Sequence, residues 1–128
     1  MTAETTIEAY YDALRTGDPL PPFFDLDESN VKFGIGERLV GEEIGEGLRE
    51  QTRTTREWTV ESHTLRVTEH DDVAWFSDRV RMAWTDDEGE RHDHETRWSG
   101  TLVHDPDATD ADTDWRFVGM HVSLPGEA

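Results

Sequence analysis

The apolar positions of the chain change their period near residue 57. Before that point they recur at helical spacing. Ile7, Tyr10, Tyr11 and Leu14 stand at i, i+3, i+4 and i+7, which predicts a first helix with one apolar stripe. Thr5 and Glu8 can form a capping box at its start, and Gly17 can stop it. The stretch DPLPPFFDL sets three prolines around Phe23 and Phe24, too short for a long helix but suited to a single turn that plugs a core. NVKFGIG and ERLVG read as two short extended pieces. GEEIGEGLREQTRTT predicts a second helix with Ile44 and Leu48 inward, weakened by Gly45 and Gly47 at ~1 kcal/mol each relative to alanine.

From Glu57 onward the period is two. Residues 57 to 69, 73 to 85, 90 to 104 and 115 to 124 predict four long strands, joined at EHDD, DDEG and the acidic stretch DPDATDADTD. Helices first and long antiparallel strands last define an α+β protein: N-terminal helices packed on one face of a strongly curved, mainly antiparallel sheet. The acidic stretch 105 to 114 lacks the mid-loop glycine and terminal glutamate of a calcium-binding EF-hand and reads as a solvated hairpin connection.

Charge narrows the choice of partners. In 128 residues there are 30 Asp and Glu against 12 Lys and Arg, a formal charge of −18, and the single lysine is Lys32. Such a chain repels nucleic acid and anionic membranes. Carboxylates in this excess hold hydration in concentrated salt, and Asp-rich, Lys-poor surfaces of this kind resemble those of proteins from halophilic archaea. Cysteine is absent, which excludes disulfides and thiolate chemistry. The first residues lack the basic and apolar regions of a secretory signal, and nowhere do 18 apolar residues run together, so one cytoplasmic domain spanning residues 1–128 is expected.

The strand DVAWFSDRVRMAWTD places Ala74, Phe76, Val80, Met82 and Trp84 on one face, with Asp78 as the only charge among them. A carboxylate in an apolar row is costly unless it is partnered. With a tight DDEG turn, Thr85 faces Glu90, and counting back sets Asp78 opposite Arg97. In the last hairpin, setting Val103 opposite Trp115 puts Arg97 opposite His121 and Ser99 opposite Gly119. The final strand WRFVGMHVS is apolar on both faces, with Trp115, Phe117, Gly119, His121 and Ser123 sharing one of them. These pairings align Asp78, Arg97 and His121 over three strands, walled by Phe76, Ser99, Phe117 and Gly119, where the missing side chain leaves room for a ligand.

The residues RWSGTLV followed by WRFVGMHVS, with FGIGERLVGEEIGEGL and DDVAWFSD upstream, resemble the SnoaL-like domains of the nuclear transport factor 2 and ketosteroid isomerase superfamily over nearly the whole chain. The resemblance implies a cone-shaped α+β barrel of three helices around a bent sheet, a pocket at the open end and a homodimer through the sheet. Gly119 departs from the polar residue common at its position, and the acidic stretch replaces a short turn.

Two functions are compatible with these residues. In the first, the cone holds a small, largely apolar molecule and performs isomerisation, cyclisation or hydration without a cofactor or metal. There Asp78 or His121 is the general base, Arg97 stabilises an enolate or orients a carboxylate, and Tyr10 or Tyr11 donates a hydrogen bond. Trp58, Phe76, Ser99, Phe117, Gly119 and Ser123 would touch the ligand. In the second, the domain is a non-catalytic interaction module and Asp78, Arg97 and His121 form a structural network. A cavity open to Arg97 and His121 favours the first; a cavity filled by aromatic side chains favours the second. Trp58, Trp75, Trp84, Trp98 and Trp115 divide between ligand contacts and ordinary packing. His92 and His94 share a strand face and could bind zinc or iron with Asp93 and Glu95, but they lie beside an exposed acidic turn and lack further ligands in pattern, so no metal is expected.

Overall fold

In the computed structural model, which describes residues 2–107 and 113–125, the period-two segments pair into a single seven-stranded, curved and unclosed sheet. The elements are α1 (Ala3–Thr16), a 3-10 turn (Pro21–Phe23), β1 (Val31–Gly34), β2 (Glu37–Val40), α2 (Glu42–Thr54), β3 (Arg56–Ser62), β4 (Arg66–His70), β5 (Val73–Thr85), β6 (Arg91–His104) and β7 (Trp115–Ser123). The strand order is β2-β1-β7-β6-β5-β3, with β4 also paired to β5. Every pairing is antiparallel except β1 with β7. Residues 108–112 of the acidic connection lie outside the described residues.

The stripe on α1 is buried as its spacing requires. Tyr10 meets Phe23, Phe24, Trp98 and Phe117 edge-on, with centroids 5.2–6.2 Å apart, and the prolines start the turn that presents Phe23 to the core. Gly17 ends the helix in the left-handed region at φ 76. The capping box is made by Thr2 and Thr5, one turn before the expected pair of Thr5 and Glu8. Among the described residues there are two α-helices, and the proline-rich turn stands where a third was implied.

Three departures from strict alternation shape the sheet. The first expected strand, 57 to 69, is broken at residues 63–65, so β3 and β4 both pair with β5. The β5–β6 turn is one residue longer than counted: Thr85 faces Arg91, and Asp86 N–H donates to the Glu90 carbonyl at 2.9 Å. A bulge in β7 leaves Val118 unopposed between the pairs Leu102 with Phe117 and Thr101 with Gly119. The bulge explains the doubly apolar look of the last strand. Trp115 and Phe117 point inward before it, Met120 and Val122 after it, and Gly119, His121 and Ser123 turn outward. Among the described residues, no helix is long and apolar enough to cross a membrane.

Candidate ligand cavity

The one-residue change in the β5–β6 turn exchanges the two faces of β6. Asp78 therefore faces Trp98, and Arg97 faces Arg79 on the outer surface. The expected convergence of Asp78, Arg97 and His121 is not formed. Asp78 is buried, but its partners are Tyr11 Oη at 2.9 Å, Ser62 Oγ at 2.5 Å and the backbone N–H of Thr64 at 3.0 Å. This carboxylate fills the break between β3 and β4, accepting an N–H that the interrupted ladder leaves without a strand partner. Burial first, and then the neighbouring Asp78 charge, push the Tyr11 hydroxyl up from its ordinary value. Tyr11 thus donates its hydroxyl proton to a structural carboxylate.

Arg97 and His121 are exposed. Arg97 borders an open outer depression with His63, Arg79, Glu95, Thr96 and Pro125, and His121 lies against the exposed ring of Phe33 at 5.3 Å. Ser99 stands opposite His121, Ser123 opposite Arg97 and Gly119 opposite Thr101, all on this same outer face. Phe76 and Phe117 are buried against each other at 5.9 Å, in the core. The β7 bulge and the longer turn remove these residues from a common hollow.

A cavity of about 150 Å³ opens instead between α1, the end of α2 and the β1–β2 hairpin. Two of the expected contacts line it, Tyr10 and Trp58. The β3 bulge at Glu57, whose φ is 57, re-aims Trp58 so that it stacks on Trp84 at 4.9 Å; His92 stacks on Trp84 at 5.2 Å. Trp98, Met82, Met120 and Val122 complete the apolar wall. Trp75 is half exposed on the outer face, and Trp115 packs in the core.

The polar end was not anticipated from the sequence. Lys32 lies beside Met120 in the parallel β1–β7 pair, and so points inward while Val31 and Phe33 point out. Its Nζ donates to Glu37 Oε1 at 2.7 Å. The lysine side chain is 6% exposed and the glutamate side chain 39%, so the cation is inside and the anion is at the rim. Gly34 makes this contact possible: a Cβ there would collide with the Glu37 carboxylate folded over the strand. Tyr10 is fully buried, and its hydroxyl makes no hydrogen bond among the described residues; burial and then the Glu37 charge raise its pKa. The Gln51 side chain is also without a bond among them, whereas Thr55 accepts from Trp58 Nε1 at 2.9 Å. The signal for this end was available in one fact, that the only lysine of an acidic chain sits in a strand between two apolar residues.

The histidine-rich segment divides across the sheet. His92 and His94 face inward beside Trp84, while Asp93 binds Arg81 and Glu95 lies near His63. Asp86, Glu90 and His92 bring one ligand atom each within 4.8 Å. Turn hydrogen bonds account for Asp86, which accepts from His92 and from the N–H groups of Glu88 and Glu90; the first of these most strongly holds its carboxyl below the usual range.

Helices on one side of a curved, mainly antiparallel sheet, with a hollow at the helix-covered end, define a cone-shaped α+β protein. The chain belongs to the SnoaL-like domain family, which matches residues 3–127. Its fold is similar to that of a nuclear transport factor 2-like superfamily protein from Salmonella enterica, with TM-score 0.79, 17% identity and coverage of 97% of this chain and 89% of that one. A candidate dehydratase of the nuclear transport factor 2-like family from Streptomyces avermitilis gives TM-score 0.79 at 17% identity, over 97% and 94% of the two chains. A ketosteroid isomerase-like protein from Erwinia carotovora gives TM-score 0.72 at 18% identity, over 97% and 94%. No curated protein matches the chain.

Proposed function

We propose that this chain holds a small, largely apolar molecule of about one aromatic ring in the cavity and promotes cofactor-free acid/base chemistry on it, of the isomerisation, cyclisation or hydration kind. The observation that carries the reading is a buried tyrosine whose hydroxyl has no hydrogen-bond partner among the described residues, lining a tryptophan-walled cavity together with the Lys32–Glu37 pair. A hollow of about 150 Å³ accommodates a benzene-sized body. Tyr10, kept protonated by its raised pKa, donates to a carbonyl or enolate oxygen; Glu37, held at the rim by Lys32 in the empty cavity, takes or returns the proton. The dehydratase-like and isomerase-like relatives support this choice of chemistry.

Titration of the intrinsic tryptophan fluorescence with single-ring aromatic compounds tests the site. Trp58→Ala is expected to weaken binding by about tenfold or more, whereas Arg97→Ala and His121→Ala leave it unchanged. Unaltered affinity in Trp58→Ala refutes the cavity, and loss in His121→Ala returns the site to the outer face. Absence of any ligand favours the interaction module.

We further infer a homodimer through the outer sheet face. Val73 and Trp75 are exposed together on one face of β5, and Trp75 keeps 50% of its surface in water. Light scattering is expected to give twice the monomer mass, and Trp75→Arg to shift it to the monomer. A monomeric wild-type chain overturns the inference.

A further inference from the structure

The Lys32–Glu37 contact has the form of an occupied anion site. Lys32 is fixed: it projects from the middle of a strand, is almost wholly buried and has one ionic partner. Glu37 is not fixed in the same way. It is the first residue of β2, follows the glycine-bearing tip Ile35–Gly36, and reaches Lys32 only by folding back across Gly34. Its side chain is more than a third exposed and makes no other hydrogen bond among the described residues. Withdrawing Glu37 into water would leave a buried ammonium unpaired, which is costly, unless another anion takes its place in the same step. Exchange of one carboxylate for another keeps the buried ammonium paired and returns rotamer freedom to Glu37.

From this geometry, and resting on the proposed cavity function, we infer that the ligand is a monocyclic aromatic carboxylate whose carboxyl group displaces Glu37 from Lys32 while its ring lies in the cavity against the wall of Trp58, Trp84 and Trp98. The volume sets the ring count and the lysine sets the charge. A compact ammonium at the end of an aromatic slot distinguishes an anion from its neutral isostere, because only the anion satisfies the cation. Glu37 is then both the plug of the empty cavity and the free carboxylate beside the bound ring. The chain selects an anion despite its charge of −18, because the selecting cation is inside and the acidic groups are in water.

Benzoate and benzamide are the probes, followed by tryptophan fluorescence or calorimetry on the full chain. The wild type is expected to prefer benzoate by about tenfold or more. Glu37→Gln removes the competing carboxylate and is expected to tighten benzoate several-fold while leaving benzamide within about twofold. Lys32→Met is expected to abolish the preference, with benzamide still bound and the far-ultraviolet circular dichroism unchanged. Equal affinity for the two probes in the wild type, or weaker benzoate binding in Glu37→Gln, overturns the inference. Benzamide bound through Trp58 without any benzoate preference leaves the cavity function standing and refutes only the anion. Should Lys32→Met fail to fold, the Glu37→Gln comparison decides. Failure of both probes to bind the wild type at millimolar concentration refutes the anion inference together with the one-ring cavity.

Discussion

Asp78→Ala is expected to destabilise the chain by about 3–5 kcal/mol, measured as the shift in urea unfolding, without changing ligand affinity in the fraction that remains folded. The carboxylate accepts from Tyr11 on α1, Ser62 at the end of β3 and the backbone of Thr64 in the break before β4, and so ties the interrupted edge to the helix. Alanine strands a buried phenol and a backbone N–H and leaves a void where the carboxyl group stood. Asn can still accept but lacks the charge, so Asp78→Asn is expected to fall between alanine and wild type. Tyr11→Phe removes one donor of three and is expected to cost about 1–2 kcal/mol. The combination Asp78→Asn with Tyr11→Phe should cost less than the sum, because the two groups share one bond. A stable Asp78→Ala protein that has lost its ligand would reverse the assignment, making the carboxylate part of the site and the cavity incidental.

The same residue shows how far the sequence can be read. Its burial was legible, because it is the only charge in an alternating apolar row and alternation fixes the face whatever the register. Its partner was not. The choice between Arg97 and Trp98 turned on whether Thr85 faces Glu90 or Arg91, a single residue in a turn where Asp86 can close the loop at Glu90. Faces within one strand survive such an error; contacts between strands do not. The α1 stripe, the proline turn, α2 and three of the four long strands follow from periodicity, the strand expected at 57 to 69 being broken into β3 and β4. The SnoaL-like family follows from the resemblance carried by RWSGTLV, WRFVGMHVS and the motifs upstream of them. His121 was lost to the Val118 bulge, which no periodic pattern announces except by making both faces of β7 look apolar. Lys32 was missed for a different reason. A lysine in a short strand reads as solvent-exposed, and its inward direction comes from the parallel pairing with β7, which links residues almost ninety positions apart in the chain.

That bulge makes a second large effect fall on a glycine other than the one expected to leave room. Gly100→Ala is expected to destabilise the fold by about 2–3 kcal/mol, whereas Gly119→Ala should stay within about 0.5 kcal/mol of wild type. At Gly100 an added Cβ would lie 2.5 Å from the Gly119 carbonyl oxygen, 2.7 Å from Phe76 Cε1 and 3.4 Å from Met120 Cα. The ring can rotate, but the carbonyl belongs to a strand held by β6 on one side and β1 on the other, so relief requires the sheet to move. At Gly119 the nearest obstacle is the Val31 carbonyl at 4.0 Å, an ordinary contact on the outer face. Combining Gly100→Ala with Phe76→Leu separates the two obstructions. Relief of the ring alone should recover only part of the loss, because the carbonyl contact remains. Full recovery would assign the strain to Phe76, and a neutral Gly100→Ala would mean that β7 has more freedom at its bulge than its pairing on both edges allows.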